Sequence, residues 1–224
     1  MHPNSECEIP EHAESNEYQD ESQFFSQIFT KMLGGNNTIP CDYNTTTESN
    51  IKLFEKLNPK THFDAIYKTF DKCSKEGDLY SIQYGIELNF QNCRDINGRC
   101  IIHQAAYQNN LSLVKDLIKC GVDINSRTHN NNTPLIYACI TGSKSVVNYL
   151  VSLDKIDINA QNGDGNTALH YACMYNMLDI VNTLLQTKRT DVIIRNKEGQ
   201  YAYELTSNDY ILKAICTIAY IFHE

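Results

Sequence analysis

The chain has 224 residues, 42% of them hydrophobic, with nine cysteines and a formal net charge of −8, which is enough apolar material for one good core. The charge is lopsided, since residues 1–60 hold ten Asp/Glu against four Lys/Arg, or −6, which leaves −2 for the rest. No basic footprint of the kind that nucleic acid or an anionic membrane needs accompanies it. The longest apolar stretch, Leu212 to Phe222, falls well short of the roughly 18–20 residues of a membrane span and reads as a core helix.

Met1 to Asp20 is polar and acidic with no apolar leader segment, so no secretory signal is expected and the chain is placed in the cytosol or nucleus. The cysteines are then read as free thiols. Residues 1–59 are rich in Glu, Ser, Asn and Thr, carry no period and are expected to be mostly without fixed structure. Within them, Phe24, Phe25, Ile28, Phe29, Met32 and Leu33 share one face of a predicted helix over residues 22–33. Ordering it costs roughly 12–24 kcal/mol of backbone entropy against roughly 9–18 kcal/mol from six buried side chains. Alone it should not hold, so it docks on the repeats, docks on a partner or stays mobile. A second short apolar stretch, Ile51 to Leu57, leads toward the segments that follow.

From there the chain is periodic. Gly98-Arg-Cys-Ile-Ile-His-Gln-Ala-Ala106, Asn131-Asn-Thr-Pro-Leu-Ile-Tyr-Ala-Cys139 and Gly165-Asn-Thr-Ala-Leu-His-Tyr-Ala-Cys173 align without gaps. After each small pair comes a residue that tolerates left-handed backbone, Asn109, Gly142 or Asn176, which predicts the end of a short first helix. Next comes an apolar quartet at helical spacing: Leu113, Val114, Leu117 and Ile118, then Val146, Val147, Leu150 and Val151, then Ile180, Val181, Leu184 and Leu185. These predict one buried face of a second helix. Asp123-Ile-Asn125, Asp157-Ile-Asn159 and polar turns complete the unit as an extended finger.

These residues resemble the ankyrin repeat, whose signature runs Gly-x-Thr-Pro-Leu-His-x-Ala-Ala, Gly, Val-x-x-Leu-Leu, Gly-Ala-Asp-Val-Asn. The resemblance covers three full units over residues 95–195. Weaker units flank them: an opening one around Phe63, Ile66, Phe70, Cys73, Gly77, Leu79, Ile82 and Ile86, and a closing one around Gly199, Ile215 and Ile218. The expected fold is thus all-α, a solenoid of about five stacked helix-turn-helix units (60–94, 95–127, 128–161, 162–195 and 196–224), three full and two capping. Thr133 and Thr167 are expected to cap first helices, with Pro134 at the first helical position. The motif histidine is matched by His103 and His170 but not by Ile136, and Cys100-Ile101 stands in the Thr-Pro slot. In the family this histidine ties adjacent units together.

The resemblance implies a protein-binding module, an adaptor or an inhibitor, that acts without enzymatic chemistry or cofactor and is monomeric on its own. An effector that mimics a host inhibitor would look the same. The surface such families use consists of finger tips and the exposed side of the first helices. Its first-helix slots are Tyr107 and Gln108, Ile140 and Thr141, Met174 and Tyr175. Its finger slots are Asn97 and Arg99, His129, Asn130 and Asn132, Asp164 and Asn166, Lys197 and Gln200. Tyr107, Ile140, Met174 and Tyr175 form the expected apolar centre of a partner site. Arg94, Arg127 and Arg195 share one finger position, interrupted by Gln161; the favoured reading is structural, and a functional one would suit an acidic peptide or the protein's own acidic tail. Asn125, spaced from Leu117 as in sites that asparaginyl hydroxylases read, is a candidate for hydroxylation.

The competing chemistry is a thiol enzyme or zinc site at Cys100-x-x-His103, with Cys93 before and Cys120 after. The repeat explains these residues without a metal or a catalytic role. His103 fills a motif slot, and Cys139 and Cys173 fill a tight alanine slot.

Overall fold

The computed structural model describes residues 45–221, and the expected helix over residues 22–33 lies outside them. Ten α-helices are described: α1 (Thr45–Glu55), α2 (Phe63–Lys75), α3 (Leu79–Glu87), α4 (Ile101–Tyr107), α5 (Leu111–Lys119), α6 (Pro134–Thr141), α7 (Lys144–Val151), α8 (Ala168–Met174), α9 (Leu178–Gln186) and α10 (Asp209–Ile221). Short 3-10 turns span Phe90–Asn92 and Ala202–Leu205. From α2 onward they pair as antiparallel hairpins. First helices stack on first helices (α4 on α6, α6 on α8) and second on second (α5 on α7, α7 on α9, α9 on α10).

The hydrophobic pattern places this core. Ala105, Ala106, Ala138, Cys139, Ala172 and Cys173 are fully buried, and only side chains this small let neighbouring first helices approach closely. Of the three apolar quartets, every member is buried except Ile118, which is partly so. Asn109, Gly142, Asn176 and Gly77 all adopt left-handed backbone, with φ of 56°, 69°, 55° and 71°. That conformation ends the first helix and starts the second within two residues. Thr133 Oγ1 accepts from the Ile136 N–H at 3.3 Å, with Pro134 at the first position of α6. At α8, Thr167 Oγ1 accepts from the His170 N–H at 3.5 Å.

The ends differ from expectation in three ways. Residues 45–55, within the stretch read as mostly unstructured, form α1. Its buried residues are Asn50 and Phe54, one turn apart. Phe54 meets Phe70 edge-on at 5.0 Å and stacks on Phe90 at 5.7 Å. These rings fit because position 85 in α3 is glycine, where a Cβ would come within 2.8 Å of both Phe54 and Phe70. Asn50 is a polar anchor, accepting from Lys72 Nζ at 2.8 Å and donating to Glu76 Oε2 at 2.9 Å and Asp78 Oδ2 at 3.0 Å. Leu79, expected inside, is exposed at the first position of α3.

At the other end, the closing first helix shrinks to a 3-10 turn. α10 opens at Asp209, although the register equivalent of Leu178, which opens α9, is Leu212. The early start takes residues a second helical turn would use. Ile215 is buried as expected, while the side chain of Ile218 lies outside those described.

Candidate functional site

Four rows of finger residues build the edge of the candidate surface. At the root, Arg94 donates to Gly98 O at 2.6 Å in its own finger and to Arg127 O at 2.9 Å in the next. Arg127 repeats this on Asn131 O at 3.4 Å and Gln161 O at 3.0 Å. Gln161 does so with its amide, on Gly165 O at 2.8 Å and Arg195 O at 3.0 Å. Gln161 therefore continues the arginine row. What the position requires is a long donor, not a charge, and the row is structural.

A second row folds each finger tip. Asp95 Oδ1 accepts from the N–H of Asn97 and Arg99, and Asn162 and Asn196 act in the same way two and four residues on. The amides of the latter two also reach back one unit, Asn162 to Asn132 Oδ1 at 2.9 Å and Asn196 to Asn166 Oδ1 at 3.1 Å. Asn132 and Asn166, expected to meet a partner, are thus occupied by their own array. Asn166 is buried and Asn132 is partly so.

The third row is Asn125 and Asn159. Asn125 donates to Lys155 O at 2.9 Å and accepts from the Asp157 N–H at 2.9 Å. Asn159 makes the same pair with Arg189 and Asp191. An enzyme acting on Asn125 would first have to detach this clamp.

The motif histidines form the fourth row. His103 Nδ1 faces the Cys100 N–H at 3.3 Å and its Sγ at 2.9 Å, and Nε2 reaches Ser126 O at 2.9 Å and Asn132 O at 3.1 Å. With Nδ1 accepting, Nε2 carries the proton and donates to the carbonyls of the next finger. His170 does likewise between Thr167 and Gln200 O. Burial pushes the His103 pKa down to about 4 and lowers that of His170. Burial also raises the Cys100 thiol. The Cys100–His103 pair is therefore a neutral thiol beside a neutral imidazole, the reverse of the thiolate–imidazolium pair that a cysteine nucleophile needs.

On the first-helix face, Tyr107, Met174 and Tyr175 are 43%, 39% and 48% exposed, Tyr107 and Met174 at equivalent positions two hairpins apart and Tyr175 next to Met174. Ile140 between them is partly buried, and Gln108 and Thr141 are exposed. Arg99 lies over the Tyr107 ring at 5.1 Å and over Tyr137 at 6.0 Å, and is fixed there by Asp95 Oδ2 at 2.7 Å. Burial raises the Asp95 carboxyl, but Arg99 and the two backbone N–H donors outweigh it and hold the pKa below its ordinary value. Tyr107 meets Tyr137 edge-on at 6.2 Å, and Tyr171 stacks on Tyr175 at 6.4 Å. His129 is exposed, with its ring close against Gly98.

Two contributors escaped the sequence reading. Tyr137 shares a first-helix position with Tyr171, a repeat visible in the alignment. Ile96 is 95% exposed at a finger tip, and the available signal was an isoleucine in a turn whose equivalents are His129, Gly163 and Lys197.

A stack of helical hairpins joined by bonded fingers, with Tyr107, Met174 and Tyr175 exposed along its first-helix face, defines a repeat solenoid. A model of the ankyrin repeat, in three copies, matches residues 73–196, more than half of the chain, and the chain belongs to that family. No curated protein matches the chain. Ankyrin repeats generally mediate protein–protein interaction, and the family is typically non-enzymatic. Among the described residues, no helix is long and apolar enough to cross a membrane.

Proposed function

We propose that this chain is a binding module of the adaptor or inhibitor kind that holds a partner protein on its first-helix face. The observation that carries this reading is the row Tyr107, Ile140, Met174 and Tyr175. Its exposed members have apolar or aromatic area out of proportion to their surroundings, and Arg99 is already fixed beside the row by Asp95. Aromatic, methionine and arginine side chains in one patch with a polar rim match the anatomy of protein interfaces. Preorganisation adds to this, because an arginine fixed before binding loses little side-chain entropy on contact. Ile96 and His129 extend the patch to the finger tips. Asn132 and Asn166 support the fingers and are left out of the contact set.

The test is Tyr107→Ala combined with Met174→Ala in the full chain, titrated calorimetrically against the partner recovered by affinity capture. Truncating exposed side chains costs stability of at most about 0.5 kcal/mol, so circular dichroism should stay native. Losing two anchors of about 2 kcal/mol each weakens binding about a thousandfold. Undiminished affinity with native folding would remove the first-helix face from consideration.

A further inference from the structure

We propose that Asn97–Gly98 is a site of spontaneous deamidation, and that Asn162–Gly163, the same dipeptide two fingers on, is held unreactive by the fold. The chemistry is intramolecular. The Gly98 backbone nitrogen, after losing its proton to solvent, attacks Cγ of Asn97, and Nδ2 leaves as ammonia from the tetrahedral intermediate. Water then opens the resulting succinimide at either carbonyl, giving aspartate or isoaspartate. Overall an amide and a water become an acid and ammonia, without an oxidant or other reagent. Glycine on the C-terminal side favours the attack because it has no Cβ to obstruct it and its backbone is mobile.

The two dipeptides sit at different register positions of two equivalent fingers. In the first finger the side chain that folds the tip is Asp95, whose Oδ1 accepts from the N–H of Asn97 at 2.9 Å and of Arg99 at 2.8 Å. Asn97 has no such role. It is exposed, its amide makes no hydrogen bond to any described residue, and the Gly98 N–H is engaged only by the turn bond to Asp95 O at 3.0 Å. Opening that bond disturbs the finger tip, the Arg94 bond to Gly98 O and the contact with His129, but no helix.

In the third finger the folding side chain is the asparagine itself. Asn162 Oδ1 accepts from the Asp164 N–H at 3.0 Å and the Asn166 N–H at 2.9 Å, and its Nδ2 donates to Asn132 Oδ1 at 2.9 Å and the Tyr171 hydroxyl at 2.8 Å. These four bonds hold the amide on residues 132, 164, 166 and 171, so it cannot turn to meet the Gly163 nitrogen without breaking them. The Gly163 N–H is itself committed to Asn130 O of the preceding finger at 2.7 Å. Asn162 is buried, so the ring can close there only when two units separate. Asp164 and Glu198 are the register equivalents of Asn97, so the aspartate product fits the fold. Isoaspartate adds a backbone carbon to a tight turn. Either product adds a carboxylate to an exposed finger tip.

The experiment incubates the folded full chain and the chain unfolded in guanidinium at neutral pH and body temperature. Conversion at each asparagine is followed by tandem mass spectrometry of proteolytic peptides. In the folded protein Asn97 should convert at least about tenfold faster than Asn162, a difference of about 1.4 kcal/mol in local opening. In the unfolded chain the two rates should converge. Enzymatic labelling of isoaspartate should fall in Asn97→Gln. The proposal fails if Asn162 keeps pace with Asn97 in the folded protein, if folded Asn97 does not convert, or if the unfolded chain shows the same rate ratio as the folded one.

Discussion

Replacing Leu184 by alanine should lower the melting temperature of the chain by roughly 5–15 °C. Leu184 is fully buried on α9, the helix that packs on both α7 and α10. Removing its three outer carbons costs the transfer free energy and leaves a cavity, together about 2–5 kcal/mol. For a domain of this size each kcal/mol moves the midpoint by roughly 2–4 °C. Stacked repeats contact only their neighbours, so a weakened α9 also loosens the hairpins on either side. Ala172→Asp, which puts an unpaired carboxylate in a site with no exposure, should be more severe. Gln186→Ala, two residues on and exposed on the opposite side of α9, should change stability by less than about 0.5 kcal/mol. Coincident thermal transitions for Leu184→Ala and Gln186→Ala would show that the second-helix face is misassigned.

Acidification below about pH 6.5 should weaken the array through its buried histidines. His103 falls from an unfolded value near 6.5 to about 4 in the fold because burial disfavours its charged form. Between these values the unfolded chain holds a proton that the folded chain does not, so stability rises with pH across that window. The contribution is fully present above pH 6.5 and is lost as pH falls toward 4, amounting to about 3 kcal/mol. His170 is shifted in the same direction and adds to the loss. Asp95, held below the ordinary carboxylate value, contributes stability above that value and loses it as pH falls further. Denaturant titrations at pH 7 and pH 4.5 should therefore show a smaller loss for His103→Gln than for the parent chain, even though the variant starts less stable. Equal losses in both would mean that His103 is protonated in the folded state.

The period of 33–34 residues carried most of this architecture into the sequence. A residue type repeated at that spacing reports a shared position, and for small, left-handed and apolar positions one residue type has one physical meaning. Ala172, Gly142 and Leu184 could be placed on that ground alone. Polar finger residues are harder because exposure and service to the next unit look alike in sequence. Asn166 reads as solvent-facing until Asn196, thirty residues on, is seen bonded to it. Gln161 reads as a break in an arginine row until its amide is found on the same two carbonyls. Helix α1 was illegible for another reason, since half of its buried pair is Asn50, a polar residue whose partners Lys72, Glu76 and Asp78 belong to another segment. Phe54 could not be assigned without knowing that position 85 leaves a vacancy for it.

Helix α1 also bears on how the molecule can be cut. A fragment begun at residue 60, where the periodicity starts, would retain the four hairpins and the closing unit and lose Asn50 and Phe54. The rings of Phe70 and Phe90 would then face water at the first hairpin, beside the hollow that Gly85 leaves. Lys72, Glu76 and Asp78 would lose the amide that lies among them. Such a piece presents a sticky, charge-ringed end to every other copy in the tube, and self-association there could pass for a property of the repeats. Residue 45 is the sounder place to begin a shortened chain.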